Sequence, residues 1–324
     1  NYFNISSLLG GTNTTKLSSQ NHGTAVMGII AGDDNAFGIT GIAPNANFYG
    51  WGGHPIHSIR RVTDKLSRGD IILIECHVPG PATNYRPDDN HQYGYCPVEI
   101  YQSIYDSIRY AIEKGIVVIE AGGNGAQNLD HEMYEDKFNP EVRDSGAIIV
   151  GAADVDNYPC SFTNYGSRID VFAQGRSVYT TGYGTLFKTD DSRNRYYTGQ
   201  FCGTSSAAPI IAGVCAIVNG IRKARNEAPL AGLAMRDMIL HGGSLQKHPF
   251  KPIGVMPNLD TIIKKLVRFP DYNDDGKVTF TDFVQFAKYY TSKDLRADLN
   301  GDGIVDYNDY KIFASKFNTK WSII

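Results

Sequence analysis

The segment Asp271-Tyr-Asn-Asp-Asp-Gly-Lys-Val-Thr-Phe-Thr-Asp282 returns 27 residues later as Asp298-Leu-Asn-Gly-Asp-Gly-Ile-Val-Asp-Tyr-Asn-Asp309. Each copy is a twelve-residue loop with side-chain oxygens at positions 1, 3, 5 and 12 and glycine at position 6, the place of the sharp turn. Oxygens crowded in this way repel one another until a hard cation gathers them, so the pattern commits the stretch to wrapping an ion, and Ca2+ suits an all-oxygen set. The expected side-chain ligands are Asp271, Asn273, Asp275 and Asp282 in the first loop. In the second they are Asp298, Asn300, Asp302 and Asp309, with Asp306 acting directly or through water. Lys277 and Ile304 would add main-chain carbonyls. An acidic solvated linker would have no reason to place glycine at the sixth position twice.

Charge divides the chain at the same place. Residues 271–319 hold nine acidic residues, all Asp, against six Lys and Arg, so the remainder carries 25 of each sign and the whole net charge of −3 belongs to the tail. A boundary near Phe269-Pro270 follows, giving domains 1–268 and 269–324. No basic footprint for nucleic acid and no polybasic membrane patch is present. With 42% hydrophobic residues the chain can bury a large core, and no apolar run reaches the roughly 18 residues of a membrane span, so it reads as soluble. Five cysteines are too few for a disulfide-built scaffold, and the odd count leaves at least one thiol unpaired within the chain. The chain opens at Asn1 without a Met or an apolar leader, so the start reads as a cut.

Residues 1–268 alternate short β-rich runs (71–74, 116–119, 147–150) with helical stretches, which predicts a parallel sheet between helices. Ile100, Ile104, Ile108 and Ile112 recur at spacing four within a helix expected over 98–114, with Gly115 placed to end it. Two more helices are expected to begin near His22 and Ser205.

Three separated segments carry the chemistry: Asn21-His22-Gly-Thr-Ala-Val-Met-Gly28, Val117-Val-Ile-Glu-Ala-Gly-Gly-Asn124-Gly125 and Gly203-Thr-Ser205-Ser-Ala-Ala-Pro209. A serine hydroxyl is a poor nucleophile until an imidazole takes its proton, so acyl transfer needs Ser and His brought together from distant positions. A helix starting at the serine aims N–H groups and a positive dipole end at a developing oxyanion. These segments, with Gly38-Ile-Thr-Gly-Ile-Ala-Pro44 and Ser161-Phe-Thr-Asn-Tyr-Gly166, resemble the subtilisin-like serine proteases in the family's own order. The resemblance implies an α/β fold, a subtilisin-like three-layer domain with a mainly parallel sheet. It implies Ser205 as nucleophile, His22 as general base and then acid, and Asn124 as side-chain donor to the oxyanion. Ser206 is the competing hydroxyl, and Cys76 and Cys202 the competing thiols, but none occupies the family's nucleophile position. Hydrolysis of a peptide or protein substrate is the expected activity.

One triad member has no match: the family's Asp lies upstream of the His segment, and the first acid here is Asp33. Either the Asp sits on an N-terminal fragment severed near Asn1 and still bound, or the protein is an impaired subtilase serving as a binding module. Loss of the first strands would expose a sheet edge, which favours a two-chain enzyme cut between its Asp and His segments by autoprocessing. The substrate-contacting residues implied are Glu75, Cys76, His77, Gly122, Gly123 and Asp130. Glu75-Cys76-His77 stands where relatives usually carry Ser-Leu-Gly, one wall of the primary specificity pocket. Glu75, Glu120 and Asp130 motivate a preference for Lys or Arg, while the bland alternative makes such acids solvated loop residues or calcium ligands.

In the tail, position 12 is Asp rather than Glu, and each loop leads into a helix (283–290 and 310–317) with no convincing helix before it. This resembles the type I dockerin, a small α-helical domain with paired calcium loops, and implies a cohesin scaffold as partner. Phe280-Thr281 and Tyr307-Asn308 fill positions 10 and 11, which help choose the cohesin. Calcium loops and a dockerin-like tail together point to an extracellular location, secreted or attached to a cell surface.

Overall fold

Apolar runs each long enough for one strand, separated by helix-length segments, have one efficient packing: parallel strands side by side with helices crossing their faces. The computed structural model describes residues 8–11, 17–52, 55–88, 91–189, 195–300 and 303–320. It divides the chain into two compact units, residues 1–258 and 259–324, so the composition shift at Phe269 falls inside the second unit.

The first unit runs β1 (Leu8–Gly11), α1 (Leu17–Ala31), β2 (Gly50–Gly52), α2 (Pro55–Thr63), β3 (Ile71–Ile74), β4 (His77–Pro79), β5 (Tyr95–Pro97), α3 (Gln102–Glu113) and β6 (Val117–Ala121). It continues through β7 (Ile148–Ala153), β8 (Val171–Gln174), β9 (Val178–Thr181), β10 (Tyr197–Phe201), α4 (Thr204–Ala224), α5 (Gly232–Leu240), β11 (Ser244–Leu245) and β12 (Val255–Met256). Strands β3, β6, β7 and β8 lie parallel in that order, and the six-stranded sheet is completed by β12, parallel to β8, and β11, antiparallel to β12. Every residue of β6 and β7 is buried, as central strands covered on both faces must be. Ile72 and Ile74 of β3 and Val118 of β6 share one apolar cluster with Ile59 of α2 and Ile104 and Ile108 of α3. Of the isoleucines at spacing four, Ile100 belongs to a short 3-10 turn before α3, so the helix starts four residues later than expected.

Helix α4 packs across β3, β6, β7 and β8, and α1 packs on α4. By length and composition α4 could cross a membrane, more than its interrupted apolar run suggested, but two thirds of its most apolar window is buried within the unit. It is a core helix. Helix α1 begins at Leu17, which puts His22 in its second turn rather than at its start. Thr180 and Thr181 of β9 clamp that helix, donating to the carbonyls of Ala25 and Thr24 at 2.6 and 2.7 Å. Gly28 makes the approach possible, since a Cβ there would run into both threonine hydroxyls.

Away from the cleft lies a buried ion cluster. Arg168 reaches Glu99 at 3.1 Å and Asp170 at 2.7 Å, and Arg236 holds Asp144 with two bonds of 2.9 and 2.6 Å. Glu120 joins the edge of this cluster by accepting the Glu99 N–H at 3.2 Å.

The second unit contains α6 (Leu259–Val267), α7 (Phe280–Ser292) and α8 (Tyr307–Lys316). A helix therefore does precede the first loop. Both α7 and α8 start three residues earlier than expected, because Thr279 and Asp306 cap them and Asp282 and Asp309 reach back to complete capping boxes. Phe286 and Phe313, one from each repeat, stack 4.5 Å apart at the centre of a small core with Val278, Ala297, Leu299 and Val305. Hydrogen bonds from Val278 N–H to Thr319 and from Asn318 N–H to Val278 close the unit at its far end.

Candidate active site

Strand ends and helix starts converge on one cleft of about 690 Å³, lined among others by His22, Glu75, Cys76, His77, Asn124 and Ser205. Gly203 precedes α4 at φ +106°, a conformation that only glycine adopts cheaply, and Ser205 is the second residue of the helix. Asn124 leaves β6 in a turn braced by Asn164, whose Nδ2 donates to the carbonyls of Gly122 and Tyr95, both at 2.8 Å. The Asn124 Oδ1 accepts from the Thr204 N–H (2.9 Å) and hydroxyl (3.1 Å). That fixes the carboxamide with its NH2 free to donate elsewhere, and in this state it donates to Gln92 Oε1 at 3.0 Å. The donor needed for an oxyanion is thus oriented, with one of its two N–H groups engaged.

His22 packs edge-on against Phe201, and burial lowers its pKa. No hydrogen bond joins it to Ser205, and no carboxylate among the described residues touches it. His77 accepts the Asn124 N–H at 3.2 Å, and burial, then the charge of His22, bring it down to about 4. Burial holds Glu75 well above the usual carboxylate range. Ser205 pulls weakly the other way, without the geometry of a formed hydrogen bond, since neither Glu75 oxygen has a partner. Cys76 is pushed up to about 12 by burial and by Glu120 and Glu75, so its thiol stays protonated. All five cysteines are free thiols.

The structure thus gathers Glu75, Cys76, His77, Asn124, His22 and Ser205, with Gly122 and Gly123 in the turn behind them. Asp130 is elsewhere: its carboxylate accepts the Ser167 N–H and hydroxyl at 2.6–3.0 Å. Gln92 and Thr204 carried no signal in the sequence strong enough to single them out, although Thr204 sits inside the serine motif.

In the calcium loops Asp271, Asp282, Asp298 and Asp309 are buried. Their oxygens are held by loop N–H groups, as in the Gly276 N–H to Asp271 bond of 2.8 Å and the Gly303 N–H to Asp298 bond of 3.0 Å. No described Lys or Arg pairs with Asp271, Asp282 or Asp309, and an oxygen-only donor set of buried acids fits a hard divalent cation. Among the described residues no three His, Cys, Asp or Glu side chains converge as a ready shell. The remaining donors of such loops are amide and main-chain oxygens, and Asp302 lies outside the described residues.

Comparison with known proteins accords with this geometry. The subtilase family model matches residues 1–251 and the type I dockerin domain model matches residues 270–318. Alkaline elastase YaB of Bacillus sp. (strain YaB) is 31% identical over 198 residues, 61% of this chain and 44% of that protein. The thermophilic serine proteinase of Bacillus sp. (strain AK1) is 32% identical over 201 residues, 61% of this chain and 42% of that protein. The chain spans less than half the length of these two relatives. Among solved structures, the prenylagaramide maturation protease PagA shares the fold, with a TM-score of 0.57 at 18% identity over 81% of this chain and 88% of that one. The family match runs through every segment that builds the cleft, and with a type I dockerin module after it, the chain belongs to the subtilase family.

Proposed function

We propose that the protein is a secreted serine endopeptidase that works through an acyl-enzyme on Ser205. The observation that carries this reading is the convergence of Ser205, His22 and Asn124 on one cleft, with Thr204 orienting Asn124 from the first turn of the nucleophile's own helix. In the reaction Ser205 Oγ bonds to the peptide carbonyl carbon as its proton passes to His22. The oxyanion accepts from Asn124 Nδ2 and from N–H groups at the start of α4. Collapse breaks the C–N bond, the amine leaves with the proton from His22, and water repeats the sequence to free Ser205.

His22 still needs a carboxylate to orient it. The reading takes that group from an upstream fragment of the same precursor, held non-covalently after cleavage, because no acid of the described chain touches His22. Asp271, Asn273, Asp275, Lys277 and Asp282, and Asp298, Asn300, Asp302, Ile304, Asp306 and Asp309, are the proposed Ca2+ ligands. The dockerin module would anchor the enzyme to a cohesin scaffold outside the cell. A second reading, a catalytically impaired binding protein, draws on the engagement of Asn124 by Gln92.

A denaturing intact-mass spectrum after exposure to a fluorophosphonate tests both. A single adduct that disappears in Ser205→Ala, together with a second polypeptide, is the expected result. No adduct would overturn the acyl-enzyme, and an adduct without a second species would overturn the two-chain arrangement.

A further inference from the structure

Glu75 is the acid that lines the cleft, and no described residue hydrogen-bonds its carboxyl oxygens. It follows the last residue of β3, both its oxygens are shut off from solvent, and neither meets a donor among the described residues. A carboxyl buried without a donor is costly, and folded proteins resolve the cost by pairing it. Among the described residues no Lys or Arg lines the cleft. Its two histidines are poor cations, since burial lowers both and His77 falls to about 4. Of the other acids that the sequence suggested, Asp130 is held by Ser167, and Glu120, which is not among the residues lining the cleft, accepts the Glu99 N–H with one oxygen and leaves the other unpartnered.

We infer that Glu75 receives the Lys or Arg side chain of the substrate residue on the acyl side of the bond that Ser205 attacks. This deepens the acyl-transfer reading and rests on it. A carboxyl beside the nucleophile lies within reach of the side chain whose own carbonyl is attacked. Ala121, Ala126 and Phe162 line the same cleft and suit the aliphatic stem of a long cation. As the cation docks, the Glu75 carboxyl turns out into the cleft, its proton passes to water there, and a shielded ion pair replaces an unpartnered acid.

The test measures kcat/KM on the complete protein for one peptide series carrying Arg, Lys, norleucine, Phe or Glu at the acyl-side residue, for wild type and Glu75→Gln. Fluorophosphonate titration of Ser205 runs in parallel. Wild type should favour Arg or Lys over norleucine by on the order of 10- to 100-fold, and Glu75→Gln should bring the ratio to near parity. Parity in wild type, an unchanged ratio in the variant, or a cation preference confined to the leaving side would overturn the inference. If Glu75→Gln does not fold, Glu75→Asp should lower the same ratio, and an unchanged ratio there would overturn it. Failure of the acyl-transfer reading shows separately, as no adduct on Ser205. In that case fluorescence titration with p-aminobenzamidine still decides: binding about tenfold weaker in the variant supports the site, and equal binding removes it.

Discussion

The first unit handles buried charge in two opposite ways. Arg168, Glu99, Asp170, Asp144 and Arg236 satisfy one another, whereas Glu75 is buried with no hydrogen-bond partner among the described residues. Burial alone would push Asp144 up, but the Arg236 bonds and the Arg168 charge outweigh it and draw Asp144 down to about 2. A carboxyl held below its unfolded value of about 3.9 stabilises the fold above that value and loses the contribution as the pH falls through its folded value. Arg236→Met should therefore destabilise the protein at pH 7 by about 2 kcal/mol. Urea unfolding should show the gap to wild type closing between roughly pH 4 and pH 2; a gap that stays constant over that range would mean the loss is packing rather than charge. That Ser205, His22 and Asn124 share one cleft was legible in the sequence, because their three motifs seldom fall by chance in this order. Asp130 misled because closeness in sequence to Asn124 is not closeness to the cleft: the turn after β6 carries its carboxylate to Ser167 instead.

Among the elements, the sheet and α3 could be read from periodicity, with ends shifted by one to four residues where turns and caps decide. The β4–β5 hairpin could not. Its strands are three residues each, and the loop between them holds no motif, yet it delivers Gln92 to Asn124. The loop is anchored by the Gly94 N–H donating to Gly125 O at 2.9 Å. Gly125 itself has no room for a Cβ beside the main chain of Tyr95. A substrate oxyanion that takes the Asn124 N–H now held by Gln92 breaks one hydrogen bond worth about 1 kcal/mol. Gln92→Ala should accordingly raise kcat/KM about fivefold. A fall would mean that Gln92 contacts the substrate and helps bind it. The early starts of α7 and α8 were equally hidden, because Asp282 and Asp309 read as ion ligands while their side chains also close the capping boxes.

For the whole molecule, the acidic paired-loop segment 271–319 was written in the distribution of Asp, but the boundary of the compact unit was not: α6 and the residue after it bring Lys264, Lys265 and Arg268 into the second unit, which with Lys320 holds ten Lys and Arg against ten Asp and is neutral as a whole. The small core around Phe286 and Phe313 is joined to loops whose acids need a cation, so chelation should act on this unit alone. Hydrogen exchange on the full chain in EDTA should show amide protection lost across 271–319 and kept in β3, β6, β7 and β8. Protection retained in both would show that the aromatic core folds without metal. The two loops also set an electrical property of the whole chain. Its formal charge of −3 resides entirely in residues 271–319, and two divalent ions there would more than cancel it. With and without calcium, the same polypeptide would then migrate toward opposite electrodes at neutral pH.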